Sequence, residues 1–284
     1  MSIGFISLLI IRFLFGSGEA GAFPGMARSV CSWIPTGERG LVKGINFSAS
    51  RLGAAITMPL LPWMINAIGW KSSFGLLMLV GFVWASVWYF WFRDEPAEKS
   101  GLSKKELEYI LANRQDSGSS LEAPAPMPLG QILANRNMWL IMGQCFASNF
   151  TFFFCLSWLF PYVRSTYNLN YTEAGFYIMI PLLGGALGNL VSGALVDKLF
   201  RGGKQAISRR LPAIIGFALA SFGLVMSLGQ AEGTGAVVWL TIAIFGADMT
   251  LSLSWSFCID MGGRHAGKVS GTMNMAGNLG SARL

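Results

Sequence analysis

The chain has 284 residues, 53% of them hydrophobic and only 12% charged, a composition far from that of an ordinary soluble domain of this length. Its net charge is +7, but the cations flank long apolar runs instead of forming one patch, which excludes a nucleic-acid face and points to a multispanning protein partnered by the lipid bilayer. Cys31, Cys145, Cys155 and Cys258 sit in or at the ends of those runs without C-x-x-C spacing, so they read as small packing hydrophobes.

Mainly apolar runs occupy residues 4–33, 41–68, 72–92, 138–162, 174–197, 211–230 and 236–258, and another begins near Gly267. Each complete run is about the length of 20 residues that a helical crossing needs. Glycine-rich interiors and flanking tryptophans argue for helices, and the ten-residue alternation of barrel strands is missing, so the fold class is an all-α polytopic membrane bundle. The first run imitates a signal peptide but is too long and is interrupted by Arg12. Sixteen Lys and Arg fall on alternate loops, whereas the other loops hold only Lys71 and Arg164. By the positive-inside rule the cation-rich loops, including the long central one, are cytoplasmic.

In the first run, Glu19 follows Arg12 by seven residues, roughly 10 Å or two turns along nearly the same helix face. Ionised groups at lipid depth are costly and usually mark an ion, proton or substrate path. A carboxyl in a partly dry cavity has its neutral form favoured, so Glu19 is a candidate to load and release a proton, with a structural ion pair between helices as the alternative. Gly16, Gly18 and Gly21 lack a preceding strand, so they suit close helix packing rather than a dinucleotide loop, and Pro24 is expected to kink the same helix.

The second run carries Ser50 and Arg51; the guanidinium can receive a carboxylate bidentately, or snorkel, or pair with an acid on a helix missing from the chain. Residues 93–137 break the pattern, being charged and rich in Ser, Gly and Pro (Pro96, Pro124, Pro126, Pro128). They read as a cytoplasmic linker between residues 1–92, the remainder of an N-terminal bundle, and residues 138–284, a C-terminal bundle. Within the linker, Ser103 to Glu106 forms a capping-box pattern ahead of Leu107, Ile110 and Leu111, which predicts a short amphipathic surface helix; a solvated linker is the alternative.

Farther on, Gly193 to Lys198, then Arg201 and Lys204, make a loop element in which Asp197 can pair with cations or with a neighbouring helix end. Asp248 is a second acid within a span, able to couple a cation or pair internally. Ser252 and Trp255, three apart, combine a hydroxyl with an indole donor, chemistry suited to a polyhydroxylated ligand; helix packing is the other reading of Trp255. His265 is the only histidine, beside Arg264 in a loop, so no histidine-based metal or catalytic centre and no cofactor is expected. Three runs precede the linker and four complete ones follow it, with apolar sequence at both termini, which leads us to expect truncation at both ends, including about three helices before Met1.

Arg12 to Pro24, Trp33 to Pro35 and Glu38 to Gly40 together resemble the fourth helix and following loop of the major facilitator superfamily, anion:cation symporter branch. Ser48 to Pro59, Gly69 to Phe74, Asp94 to Pro96, and Ser270 with Gly271, Asn274 and Asn278 are similar to its fifth helix, the start of its sixth, the opening of its central loop and its eleventh helix. The resemblance implies that Glu19, with Arg12 as partner, belongs to proton coupling, and that Ser50 faces a central cavity. It also implies that Ser252, Trp255 and Asn274 line the substrate pocket, and that Gly193, Asp197, Lys198 and Arg201 form a gating loop. Phe200 stands where that loop motif has glycine, Gly202 and Gly203 being displaced.

The expectation is a monomeric, multi-pass protein of the bacterial inner membrane that carries small organic anions with protons. Hexuronates, aldarates or aldonates are the favoured class; members of the branch also carry other carboxylates or inorganic phosphate. The alternatives are a transport-inactive fragment of such a protein, and a membrane-embedded enzyme, which would need a nucleophile and base or a metal cluster at lipid depth and finds its one histidine in a loop.

Overall fold

The computed structural model describes residues 3–114, 127–230 and 232–281. Pro124, Pro126 and the Cys155 side chain lie outside the described residues. The helices are α1 (Ile3–Glu19), α2 (Ala22–Trp33), α3 (Arg39–Trp91), α4 (Lys104–Asn113), α5 (Leu129–Ala134), α6 (Arg136–Thr166), α7 (Tyr171–Arg201), α8 (Gln205–Ser227), α9 (Gly233–Gly262) and α10 (Ala266–Ser281). Among the described residues, six helical stretches are long and apolar enough to cross a membrane. Two of them, Arg39–Trp91 and Gly233–Ser281, run for 53 and 49 residues, more than twice what one crossing needs.

Each long stretch is broken at a glycine with positive φ, Gly69 at 77° and Gly263 at 50°. Only glycine enters such backbone at little cost, so the apolar run can continue while the chain changes direction. The indole N–H of Trp33 donates to the Arg93 carbonyl at 3.1 Å, so α3 ends beside the end of α2. The four runs at 41–68, 72–92, 236–258 and beyond Gly267 are therefore separate segments inside two helical stretches. In the first run the interruption falls at Ala20 and Gly21, just before Pro24, which sits in the first turn of α2 where its missing N–H breaks no helical bond.

Local caps set several starts. Ser103 accepts from the Glu106 N–H at 3.2 Å and begins α4, as the capping pattern predicts. Asn170 and Glu173 make a complete reciprocal box that begins α7. The first segment of α3 packs on α7, α7 on α9, and α9 on α8, while α10 packs on α6 and α2. These contacts join segments from before and after the 93–137 linker. One core cluster, built around Ala27, Phe47, Met138, Trp255, Cys258 and Met273, spans both sets. By contrast α1 and the part of α3 beyond Gly69 expose Phe13, Phe82 and Phe90 to over 70%, faces suited to lipid or further protein.

Candidate functional site

The starts of α3, α8 and α10 and the end of α7 meet at one end of the bundle, called the basic end here for Arg39, Lys43, Lys198, Arg201, Arg209 and Lys268. There Asp197, near the end of α7, accepts from the Gly40 and Leu41 N–H groups at 2.8 and 2.7 Å. Those N–H groups belong to the first turn of α3 and lack partners within their own helix, so a carboxylate there satisfies them and meets the positive end of the helix dipole. The fit requires Gly193 opposite Gly40: a Cβ on Gly193 would lie 2.5 Å from the Gly40 carbonyl oxygen. Arg201 packs its side chain near Gly37, and Lys198 is exposed.

Asp260, at the end of α9, ties the same region together through ion pairs to Arg39 at 3.2 Å and to Arg209. Arg39 is fully buried and also donates to the Cys31 carbonyl at 3.4 Å. Lys43, a loop cation by sequence pattern, is instead inside α3 and fully buried. Its Nζ has no hydrogen-bond partner among the described residues and lies 5.3 Å from the centre of the Trp255 ring. The helix begins four residues before Lys43, which carries that cation into the packed interface.

Above this closed end is a cavity of about 410 Å³. Trp255, Phe47 and Phe23 form its aromatic floor, with ring centres 5.6 Å (Phe23 to each of the others) and 5.7 Å apart. Glu19, Ser50, Arg51, Asn149, Asn274 and Asn278 supply its polar wall. A carboxylate, a guanidinium, a hydroxyl and three amides around one hollow can orient a small hydroxylated anion by charge and hydrogen bonds. A larger apolar recess, about 1230 Å³, lies toward the other end between α6, α8 and α9, lined by Trp158, Tyr162, Leu224 and Leu240. It holds none of the candidate site residues named from the sequence, although the loop cation Arg164 lines it.

Five of those residues, Glu19, Ser50, Arg51, Trp255 and Asn274, thus line one cavity. Arg12 and Ser252 do not. Arg12 is exposed on α1, and neither it nor Glu19 has an ion-pair partner among the described residues. Ser252 is buried against α7, where its hydroxyl donates to the Asn189 carbonyl at 3.4 Å. Three residues turn a helix through about 300°, so a 60° offset separates Ser252 from Trp255, and the α7–α9 seam takes the serine.

Arg51 pairs with an acid of this chain, Asp248 of α9, and not with one on a missing helix. Its Nε and Nη2 donate to Asp248 Oδ2 and Oδ1 at 2.6 and 2.8 Å, and the guanidinium carbon lies 3.8 Å from the centre of the Phe152 ring. Asn149, Phe47 and Phe23 are not among the site residues read from sequence. A polar Ser148–Asn149 pair within an apolar run was the available signal for the first.

The family model of the Major Facilitator Superfamily matches residues 1–282. The chain belongs to that superfamily. Among similar proteins, the probable sulfoacetate transporter of Cupriavidus necator is 30% identical over 94% of this chain and 61% of its own length. A probable galactarate/D-glucarate transporter of Escherichia coli K12 is 31% identical over 97% of this chain and 64% of its own. The hexuronate transporter of Bacillus subtilis is 28% identical over 99% and 66%. The chain therefore spans roughly three fifths of the length of these superfamily relatives, each named as a transporter, in keeping with the resemblance to the anion:cation symporter branch.

Proposed function

We propose that this chain forms part of the substrate and proton pathway of a secondary transporter for small organic anions, sugar acids foremost. The observation that carries the reading is the single cavity in which Glu19, Ser50, Arg51, Trp255 and Asn274 converge. Arg51 supplies charge for a carboxylate, Ser50 and Asn274 hydrogen bonds for hydroxyls, and Trp255 an apolar face for the carbon skeleton. Glu19 takes and releases the coupled proton. Residues 1–92 and 138–284 act as two bundles that rock about the cavity, with the basic end cytoplasmic, as the cation distribution supports. Asp197, Gly193 and their partners on α3 close that end between excursions, and the protein works as a monomer in a bacterial inner membrane. The names of the relatives support galactarate, glucarate, hexuronates and sulfoacetate as trial substrates.

The test is binding and proton-driven uptake by the reconstituted protein across a panel of these anions, neutral sugars and inorganic phosphate. Hydroxylated acids should bind in preference to the matching neutral sugars. Asn274→Ala should weaken binding roughly 5- to 150-fold, the equivalent of losing a buried hydrogen-bond partner worth about 1–3 kcal/mol. Glu19→Gln should bind and exchange substrate yet fail to accumulate it against a gradient. Equal affinity for neutral sugars would defeat the anion site, and normal acid-driven accumulation by Glu19→Gln would remove Glu19 from coupling.

A further inference from the structure

Arg39, Lys43, Phe47 and Arg51 follow one another four residues apart along α3. Four residues turn a helix only about 40° past a full turn, so each side chain sits almost above the last, from the basic end up to the cavity. The protein answers two of the three cations with acids of its own: Asp260 holds Arg39 and Asp248 holds Arg51. Lys43, between them, is fully buried, has no acid and no hydrogen-bond partner among the described residues, and rests 5.3 Å from the centre of the Trp255 ring. A buried ammonium without a counter-ion is costly, and a ring face returns only part of that cost. A cation kept at such a place in a membrane bundle usually serves an ion or substrate path.

The second observation is the charge of the cavity itself. Among the described residues its charged lining is Glu19 and Arg51, and the Arg51 guanidinium already gives Nε and Nη2 to Asp248. The wall therefore offers an anion hydrogen bonds and a charge already matched, with no surplus of positive charge. An anion with two acidic groups needs more than that. Trp255 lines the cavity and also carries Lys43 against its ring. One ring thus separates the unanswered cation from the hollow.

We propose that Lys43 is the cation that recognises the second acidic group of a dianionic cargo, reached from the cavity when the Trp255 ring turns aside. This rests on the cavity being an anion site, and deepens it by naming the substrate class: open-chain acids charged at both ends, in preference to those charged at one. The hydroxylated middle of the cargo stays on Ser50, Asn149 and Asn274 of the cavity wall. The ammonium exchanges its ring contact for charge-assisted hydrogen bonds to a carboxylate, the stronger partner.

The experiment measures binding of D-galactarate and D-galactonate, open-chain acids that differ in one carboxylate, to the reconstituted unaltered protein and to Lys43→Met. The unaltered protein should bind galactarate roughly 10- to 150-fold more tightly than galactonate, the equivalent of one hydrogen bond to a charged group, and Lys43→Met should lose most of that ratio. A role confined to packing would shift stability and leave the ratio alone. In parallel, reductive methylation of Lys43 in the unaltered protein is read by mass spectrometry against exposed Lys198. Saturating galactarate should suppress it more than saturating galactonate. Equal affinities in the unaltered protein, or a ratio that survives in Lys43→Met, overturns Lys43 as the second cation while the anion site stands. Failure of both acids to bind overturns the anion site, and the proposal with it. Should Lys43→Met fail to fold, labelling decides: a Lys43 that both acids protect alike, or that is never methylated, defeats the proposal.

Discussion

The basic end and the middle of the bundle are held shut by different means. At the basic end, backbone meets backbone: Gly40 and Gly193 approach so closely that neither has room for a Cβ, and Asp197 clasps the first N–H groups of α3. In the middle, α3 and α9 meet through long side chains, Arg51 with Asp248, around a hollow of about 410 Å³. Backbone contact is all-or-none, because its partners cannot rotate away without moving whole helices. The difference teaches where the helices are locked backbone to backbone and where side chains alone join them.

The sharpest way to break the comparison is to add a side chain at the backbone contact. Gly193→Val places its Cβ 2.5 Å from the Gly40 carbonyl oxygen and 3.1 Å from Leu41 Cα, where no flexible atom can yield. The cost falls on the closed basic end and reaches about 3 kcal/mol, the upper part of the usual overpacking range. Disulfide trapping between Gly37→Cys and Arg201→Cys, where a Cβ on Gly37 would lie 3.3 Å from the Arg201 side chain, should fall several-fold. Undiminished trapping would mean that the glycine contact does not hold the end shut.

A smaller effect sharpens the boundary between the two regions, where Lys43 lies under Trp255. Its ammonium is buried and lacks a hydrogen-bond partner among the described residues; the ring 5.3 Å away offers a cation–π contact in partial exchange. Lys43→Met keeps the length and removes the unpaired polar head, so the closed form should gain about 1–2 kcal/mol, less than the full desolvation cost because the cation–π contact goes too. A thermal-shift measurement should show a higher midpoint than the unaltered protein. A lower midpoint would make the Lys43–Trp255 contact a net stabiliser and move Lys43 into the side-chain group of ties.

Span positions were legible because a bilayer imposes a length and a polarity on each segment. The runs 41–68 and 72–92 emerged on either side of Gly69, and Ser103 opened α4 as its pattern predicts. Partnerships across the bundle were not legible. Periodicity tells which face of a helix a residue occupies, never which helix will lie against that face. Hence Arg51 and Asp248 could each be marked as costly at lipid depth without being matched, and Ser252 could be grouped with Trp255 although the seam with α7 claims it. Lys43 was hidden for another reason: it counts with the loop cations at the very edge of the 41–68 run, while α3 already starts at Arg39.

The least effect concerns how the linker helix rests on the basic end, and whether a single exposed hydrogen bond matters beside backbone contacts. Tyr109 of α4 donates its phenol to Glu38 Oε1 at 3.1 Å, just ahead of α3. That hydrogen bond first, and the negative charge of Glu38 second, raise the Tyr109 pKa above its ordinary value of 10.0. The neutral phenol is thus favoured in the docked state, so this contribution is fully present below pH 10 and is lost as pH rises through the raised value. Docking has other supports: the Thr36 N–H donates to the Asn113 carbonyl at 3.0 Å, and Arg114 pairs with Glu95 at 3.0 Å. Tyr109→Phe should therefore loosen α4 only slightly. A spin label at Leu111→Cys should be a little more mobile in Tyr109→Phe than in the unaltered tyrosine background at about pH 9, and the two should converge once the phenol has ionised. Identical mobility at both pH values would leave the docking of α4 entirely to Thr36, Asn113 and the Arg114–Glu95 pair.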